Sequence, residues 1–150
     1  MKHNALIFLP LLIACDVAES PGTDSSAAGL VEQCVEFRER AATCADATID
    51  VMIAARARHQ PRIASAIEAE GLDAIRDVGI SELKKEAAGS LDERRDACAT
   101  ASQRMPATVR PHVEAMGACV EREGCEAFAA CVAEPFEQLV LHQSRPPSAL

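Results

Sequence analysis

Residues 30–57 read LVEQCVEFRERAATCADATIDVMIAARA, and their pattern decides the fold class. The composition shifts here to Ala, Glu, Arg and Leu, all strong helix formers. Leu30, Cys34, Phe37, Ala41, Cys44 and Thr48 recur at steps of three and four residues. A helix gathers such positions onto one face, so the stretch predicts one amphipathic helix running to about Ala57. Arg38, Glu39 and Arg40 fall on its wetter side.

The chain downstream repeats the theme. Pro61 breaks the run and opens a short second helix through Ala69. Gly71 and Gly79 punctuate the next stretch, which predicts two short helical pieces, 72–78 and 81–88. Ser90 and Glu93 stand three residues apart, as a capping box requires. They start a helix that carries Leu91, Arg94, Arg95, Cys98 and Ala101 and ends near Met105-Pro106. Residues 109–122 predict another helix, with Pro111 in its first turn and Gly124 as a left-handed stop. Residues 125–133 predict a further one, interrupted by Pro135, with 136–142 continuing beyond the kink. No alternating apolar and polar pattern appears, and β-branched and aromatic content is low. The expected architecture is an all-α, disulfide-stapled helical-hairpin bundle of four to six helices over residues 30–143. Residues 144–150, with Pro146-Pro147, read as a loose tail.

Seven cysteines sharpen this picture. Cys15 stands apart near the start. Cys34, Cys44, Cys98, Cys119, Cys125 and Cys131 form an even set separated by x9, x53, x20, x5 and x5. Zinc sites use close pairs such as C-x2-C, which are missing here, so the six read as disulfide candidates. Six cysteines allow about 15 pairings. On a continuous helix Cys34 and Cys44 lie about 15 Å apart, too far to join. Cys125 and Cys131 point about 120° apart on a straight helix. Both upstream cysteines should therefore pair among the four downstream ones. The C-x9-C spacing of Cys34 and Cys44 resembles half of a twin C-x9-C hairpin, but the second pair is missing.

The first fifteen residues place the protein. Met1 and Lys2 lead into an apolar run, Ala5 to Ala14, that ends in Leu12-Ile13-Ala14-Cys15. The run is too short to span a bilayer and has the layout of a secretory signal peptide. Its end resembles the lipobox of bacterial lipoproteins. That resemblance implies cleavage after residue 14 and a diacylglycerol on the Cys15 thiol, with the new amino group open to acylation. Acyl chains bring roughly 0.8 kcal/mol per buried methylene, and two or three make a stable anchor. Export also supplies the oxidising surroundings that disulfides need. Residues 15–29 (CDVAESPGTDSSAAG) then read as the acylated cysteine and a flexible tether. Asp16 resembles the inner-membrane retention signal of some Gram-negative lipoproteins, which leaves inner and outer membrane both open. The span from Cys98 to Cys131, with Met105-Pro106 and Arg110-Pro111 between its cysteines, resembles the small cysteine-containing helical lipoproteins of myxobacteria. That likeness implies an exported, stapled helical domain and carries no active residues.

Charge and composition exclude several function classes. The net charge is −8, with no Trp, no Tyr and four Phe. Such a chain is a poor partner for nucleic acid or anionic lipid headgroups, and it lacks stacking platforms for bases or sugars. No C-x-x-C pair marks a redox centre. His59, His112 and His142 form no helical metal pair and carry no local catalytic signature. Glu114, Glu121, Glu123 and Glu126 read as a solvated face. Gly22, Gly71, Gly79, Gly89 and Gly117 belong to no phosphate-cradling loop. No catalytic residue, cofactor or metal is expected. The reading is a non-enzymatic, membrane-anchored binding domain of the bacterial cell envelope that faces the periplasm or the exterior. Its partners would be membrane lipid, through Cys15, and an unidentified envelope protein. The alternatives are a periplasmic ligand- or metal-binding helical domain, or a small protease or toxin inhibitor.

Overall fold

The structure is a computed structural model and describes residues 25–144. The expected signal segment 1–14, Cys15, the first part of the tether and the tail 145–150 lie outside the described residues. Within them the chain is all-α, with no strand. It forms α1 (Ser25–Thr43), α2 (Ala45–His59), α3 (Pro61–Glu70), α4 (Leu72–Ala87), α5 (Leu91–Gln103), α6 (Arg110–Gly117) and α7 (Cys125–Ser144), with a 3-10 turn at Ala118–Glu121. Seven α-helices thus stand among the described residues where four to six are expected. Helix α1 begins at Ser25, five residues upstream of Leu30 and inside the segment read as tether.

The extra helix arises because the 30–57 run divides at Cys44. There the backbone leaves helical geometry, at φ −102° and ψ 31°. The Thr43 hydroxyl donates to the Glu39 carbonyl at 2.9 Å, a back-bond that bends helices. The chain turns at this corner, so α1 and α2 serve different neighbours. Helix α1 packs on α5, α4 and α6, while α2 packs mainly on α7 and also on α3 and α4. Gln60, held extended before Pro61 at φ −125° and ψ 97°, separates α2 from α3.

Two expected breaks do not occur. Gly79 lies inside α4, which runs unbroken from Leu72 to Ala87. It is buried beside Ile49 and Met52 of α2, so the small residue serves helix packing and not chain reversal. Pro135 likewise lies inside α7. A helical proline removes one backbone hydrogen bond and costs about 3 kcal/mol. The helix persists because Phe128, Ala129 and Val132 before it and Phe136, Leu139 and Val140 after it are all buried. Burying the Phe, Val and Leu side chains among them contributes roughly 1.5–3 kcal/mol each.

Other local expectations are met. Ser90 caps α5: its hydroxyl accepts from the Glu93 amide at 3.3 Å, and the Glu93 carboxylate accepts from the Ser90 amide at 2.7 Å. Gly124 turns the chain into α7 with φ +76°, a conformation that a Cβ would strain. The expected 109–122 helix ends early, because α6 tightens into the 3-10 turn that carries buried Cys119.

The core lies where α7 crosses α2, with α1, α4 and α6 around it. Phe128, Val132 and Val140 are wholly buried, and Ile49, Phe136, Met52, Leu139 and Ile53 nearly so. Phe37 of α1 and Phe128 of α7 meet with ring centroids 5.7 Å apart. Arg40 belongs to this packing and not to the wetter face: its guanidinium lies 5.8 Å over the Phe128 ring and donates to the Arg122 carbonyl at 2.9 Å.

Three disulfides clamp the arrangement. Cys34–Cys98 ties α1 to α5, Cys44–Cys125 ties the α1–α2 corner to the start of α7, and Cys119–Cys131 ties the 3-10 turn to α7. Their Cα atoms are 5.9, 5.1 and 5.7 Å apart, within the range that such bridges span. Cys34 and Cys44 both pair downstream, as helix geometry requires. Ion pairs reinforce the α1–α5 contact and add one between α4 and α2. Arg95 meets Glu32 at 2.9 Å and Arg94 meets Glu39 at 2.7 Å, both between α5 and α1. Arg94 also donates to the carbonyl of Ala87, the last residue of α4, and to that of Gly89 just beyond it. Arg76 of α4 reaches Asp50 at 2.7 Å and Asp46 at 3.0 Å on α2.

Candidate functional site

Between α1, α4 and α6 the packing leaves a crevice of about 40 Å³. Helix α1 lines it with Leu30, Gln33, Cys34, Phe37, Arg38 and Ala41. These positions alternate steps of three and one, so they share one helix face. Helix α4 adds Leu83 and Glu86, and α6 adds Val113, Met116 and Gly117. Helices α1 and α6 come close at Gly117: a Cβ there would lie 3.1 Å from Gln33 Oε1. The absent side chain thus lets Gln33 lie against α6. A smaller hollow of about 10 Å³ lies between α2 and α4, lined by Ile49, Met52, Arg56, Gly79 and Glu82. Leu83 and Glu86 line both spaces.

Glu86 is the electrostatic centre of this region. Burial pushes its carboxyl above the usual range, and Arg38 is the strongest influence pulling it back. Glu82 pushes it further up, and Arg56 opposes that. Arg56 is itself buried, with its guanidinium 5.6 Å over the Phe136 ring. Burial lowers the Arg56 pKa and Glu86 counteracts the shift. Arg38 was expected on the wetter side of its helix; it is instead half-buried along the crevice.

Of the cysteines, histidines and acidic residues singled out in the sequence, Cys34 lines the crevice and is held in a disulfide. All six downstream cysteines are in disulfides, so none is a free thiolate. His59 contacts the Glu137 carboxylate at 2.7 Å, and His142 contacts the Thr108 hydroxyl at 3.1 Å. His112 is half-buried on α6. Glu114, Glu121, Glu123 and Glu126 are exposed. Among the described residues no group of three His, Cys, Asp or Glu side chains could hold a metal. No described helix is long and apolar enough to cross a membrane.

No protein-family profile, curated protein or solved structure matches the chain. Function therefore rests on the residues themselves.

The Glu137 cluster carries a pH signature. Arg58 donates to Glu137 at 2.9 Å, and with His59 it draws the carboxyl down from its ordinary 4.5 to about 2. A carboxyl depressed in the fold stabilises it when ionised. That contribution is complete above pH about 4.5 and fades as the pH falls toward about 2. Glu137→Gln is expected to be less stable than the parent at pH 6, with the gap closing between pH 4.5 and 2. Urea midpoints across that range check it; a gap independent of pH would assign the loss to packing.

The sequence contained a signal for the crevice. Arg38 lies four residues after Cys34 and eight after Leu30, on the edge of the same stripe. Glu86 lies three after Leu83 and seven after Gly79. What could not be read was that these two stripes face each other.

Proposed function

We propose that this chain is a lipid-anchored protein of the bacterial cell envelope whose helical domain binds another component there and catalyses no reaction. The observation that carries the reading is Leu12-Ile13-Ala14-Cys15 at the end of a short apolar run. Acylated Cys15 is the membrane attachment, and the segment after it connects anchor to domain. Three disulfides support an exported setting, because that chemistry persists in oxidising compartments. The domain's likeness to small helical lipoproteins of myxobacteria fits the same location. A partner protein in the envelope is the expected target.

The second reading, a periplasmic ligand-binding helical domain, is favoured by the crevice between α1, α4 and α6. Helical bundles commonly place ligand sites between facing helices.

Intact mass of the membrane-extracted protein tests the anchor. The expected mass is that of residues 15–150 plus acyl groups, with six alkyl labels gained only after reduction. Cys15→Ser should abolish the acyl mass and release the protein from the membrane fraction. An unacylated parent chain would overturn the anchor.

A further inference from the structure

The crevice has an apolar body and a charged rim that the fold leaves open. Leu30, Phe37, Ala41, Leu83, Val113 and Met116 form its walls. Its volume is about 40 Å³, roughly three times what one water needs. Water held against such walls finds few polar partners, so an apolar group replaces it favourably.

Arg38 from α1 and Glu86 from α4 supply the rim. They attract each other, yet no nitrogen–oxygen approach within 4.0 Å joins them. Among the described residues neither side chain has a hydrogen-bond partner. The contrast with the rest of the domain is plain. Arg58, Arg76, Arg94 and Arg95 each meet a carboxylate of another helix at 2.9 Å or less. Glu86 faces two cations, Arg38 from α1 and Arg56 from α2, and one anion, Glu82 of its own helix, so the four groups together carry no net charge.

We infer that this crevice binds a free α-amino acid with an apolar side chain. The side chain enters the crevice, the carboxylate accepts from the Arg38 guanidinium, and the ammonium donates to the Glu86 carboxylate. Charge selects this class. A chain carrying −8 repels a fatty acid or another simple anion, and Arg38 beside Glu86 repels a simple cation. A dipolar ligand of zero net charge satisfies both groups at once, and charge-assisted hydrogen bonds are the strong kind. The inference deepens the second, ligand-binding reading and does not rest on the anchor, so a failure of acylation leaves it standing.

The test is calorimetric titration and thermal unfolding of the full chain. L-leucine and L-methionine are the probes. Glycine and N-acetyl-L-leucine methylamide are the comparisons. Leucine and methionine should bind and raise Tm with concentration, as mass action requires. Glycine lacks the apolar group and capped leucine lacks both charges, so neither should. Arg38→Ala and Glu86→Gln should each weaken leucine binding by roughly tenfold or more. Glu86→Gln removes a charge that burial disfavours, so its fold is retained and its loss of binding is a site effect. Val113→Phe should fill the crevice and abolish binding. Absence of leucine and methionine binding overturns the inference. So does equal binding of the capped compound, which would assign the crevice to peptide segments, or binding that Glu86→Gln leaves unchanged.

Discussion

Phe128→Ala is expected to lower the unfolding free energy by about 3–5 kcal/mol. Phe128 is wholly buried and stands where three features meet. Its ring faces Phe37 of α1 at 5.7 Å. Arg40 covers it at 5.8 Å. It sits one turn into α7, just after the cysteine that closes the bridge to Cys44. Truncation therefore removes the transfer energy of a large side chain and leaves a void that disulfide-held helices cannot close. Stiff surroundings raise the cost of a cavity because relaxation recovers little of it. Phe37→Ala in the same background should cost less than it does alone, since aromatic pairs couple by roughly 0.5–1.5 kcal/mol. Urea unfolding with disulfides intact measures both. A Phe128→Ala cost below about 1 kcal/mol would mean that α1 and α7 do not meet at this ring.

The second large effect concerns the bridge at the α1–α2 corner. Cys44→Ala with Cys125→Ala opens a loop of 81 residues, whereas Cys119→Ala with Cys131→Ala opens one of 12. If a disulfide acts by restricting the unfolded chain, the closure entropies correspond to ~4.5 and ~3 kcal/mol. Each bridge joins one buried cysteine, Cys44 or Cys119, to a half-buried one, Cys125 or Cys131, so packing does not separate them and loop length decides. Loss of the Cys44–Cys125 bridge should therefore destabilise more than loss of the Cys119–Cys131 bridge, by more than 1 kcal/mol. Denaturant midpoints of the two double variants give the order. The reverse order would show that the short bridge carries native-state contacts that outweigh loop closure.

The sequence was most legible where local chemistry acts alone. The helix starts at Pro61 and Ser90 and the left-handed turn at Gly124 follow from backbone preference, and all occur. It was least legible where tertiary packing overrides a local rule. Gly79 and Pro135 are helix-weakening residues, yet α4 and α7 pass through them, because each lies in a helix whose neighbouring turns are buried against α2. Thr43 and Cys44 are unremarkable on a helix face, yet the chain bends there, since the corner lets α1 and α2 reach different partners. The crevice follows the same division. Its α1 stripe is written in the order Leu30, Cys34, Phe37, Ala41, but the opposing Leu83 and Glu86 come from a helix more than forty residues downstream.

By itself the sequence determined the class of the domain, all-helical and disulfide-rich, because helix periodicity and an even cysteine set are local and compositional properties. It also carried the apolar run ending at Cys15 on which the proposed anchor rests. Only the tertiary structure decided which cysteines join, where the first long run bends, and that Arg38 and Glu86 share one apolar crevice. Pairings and crevices arise from contacts between residues far apart in the chain, and no local preference encodes which helix faces will meet.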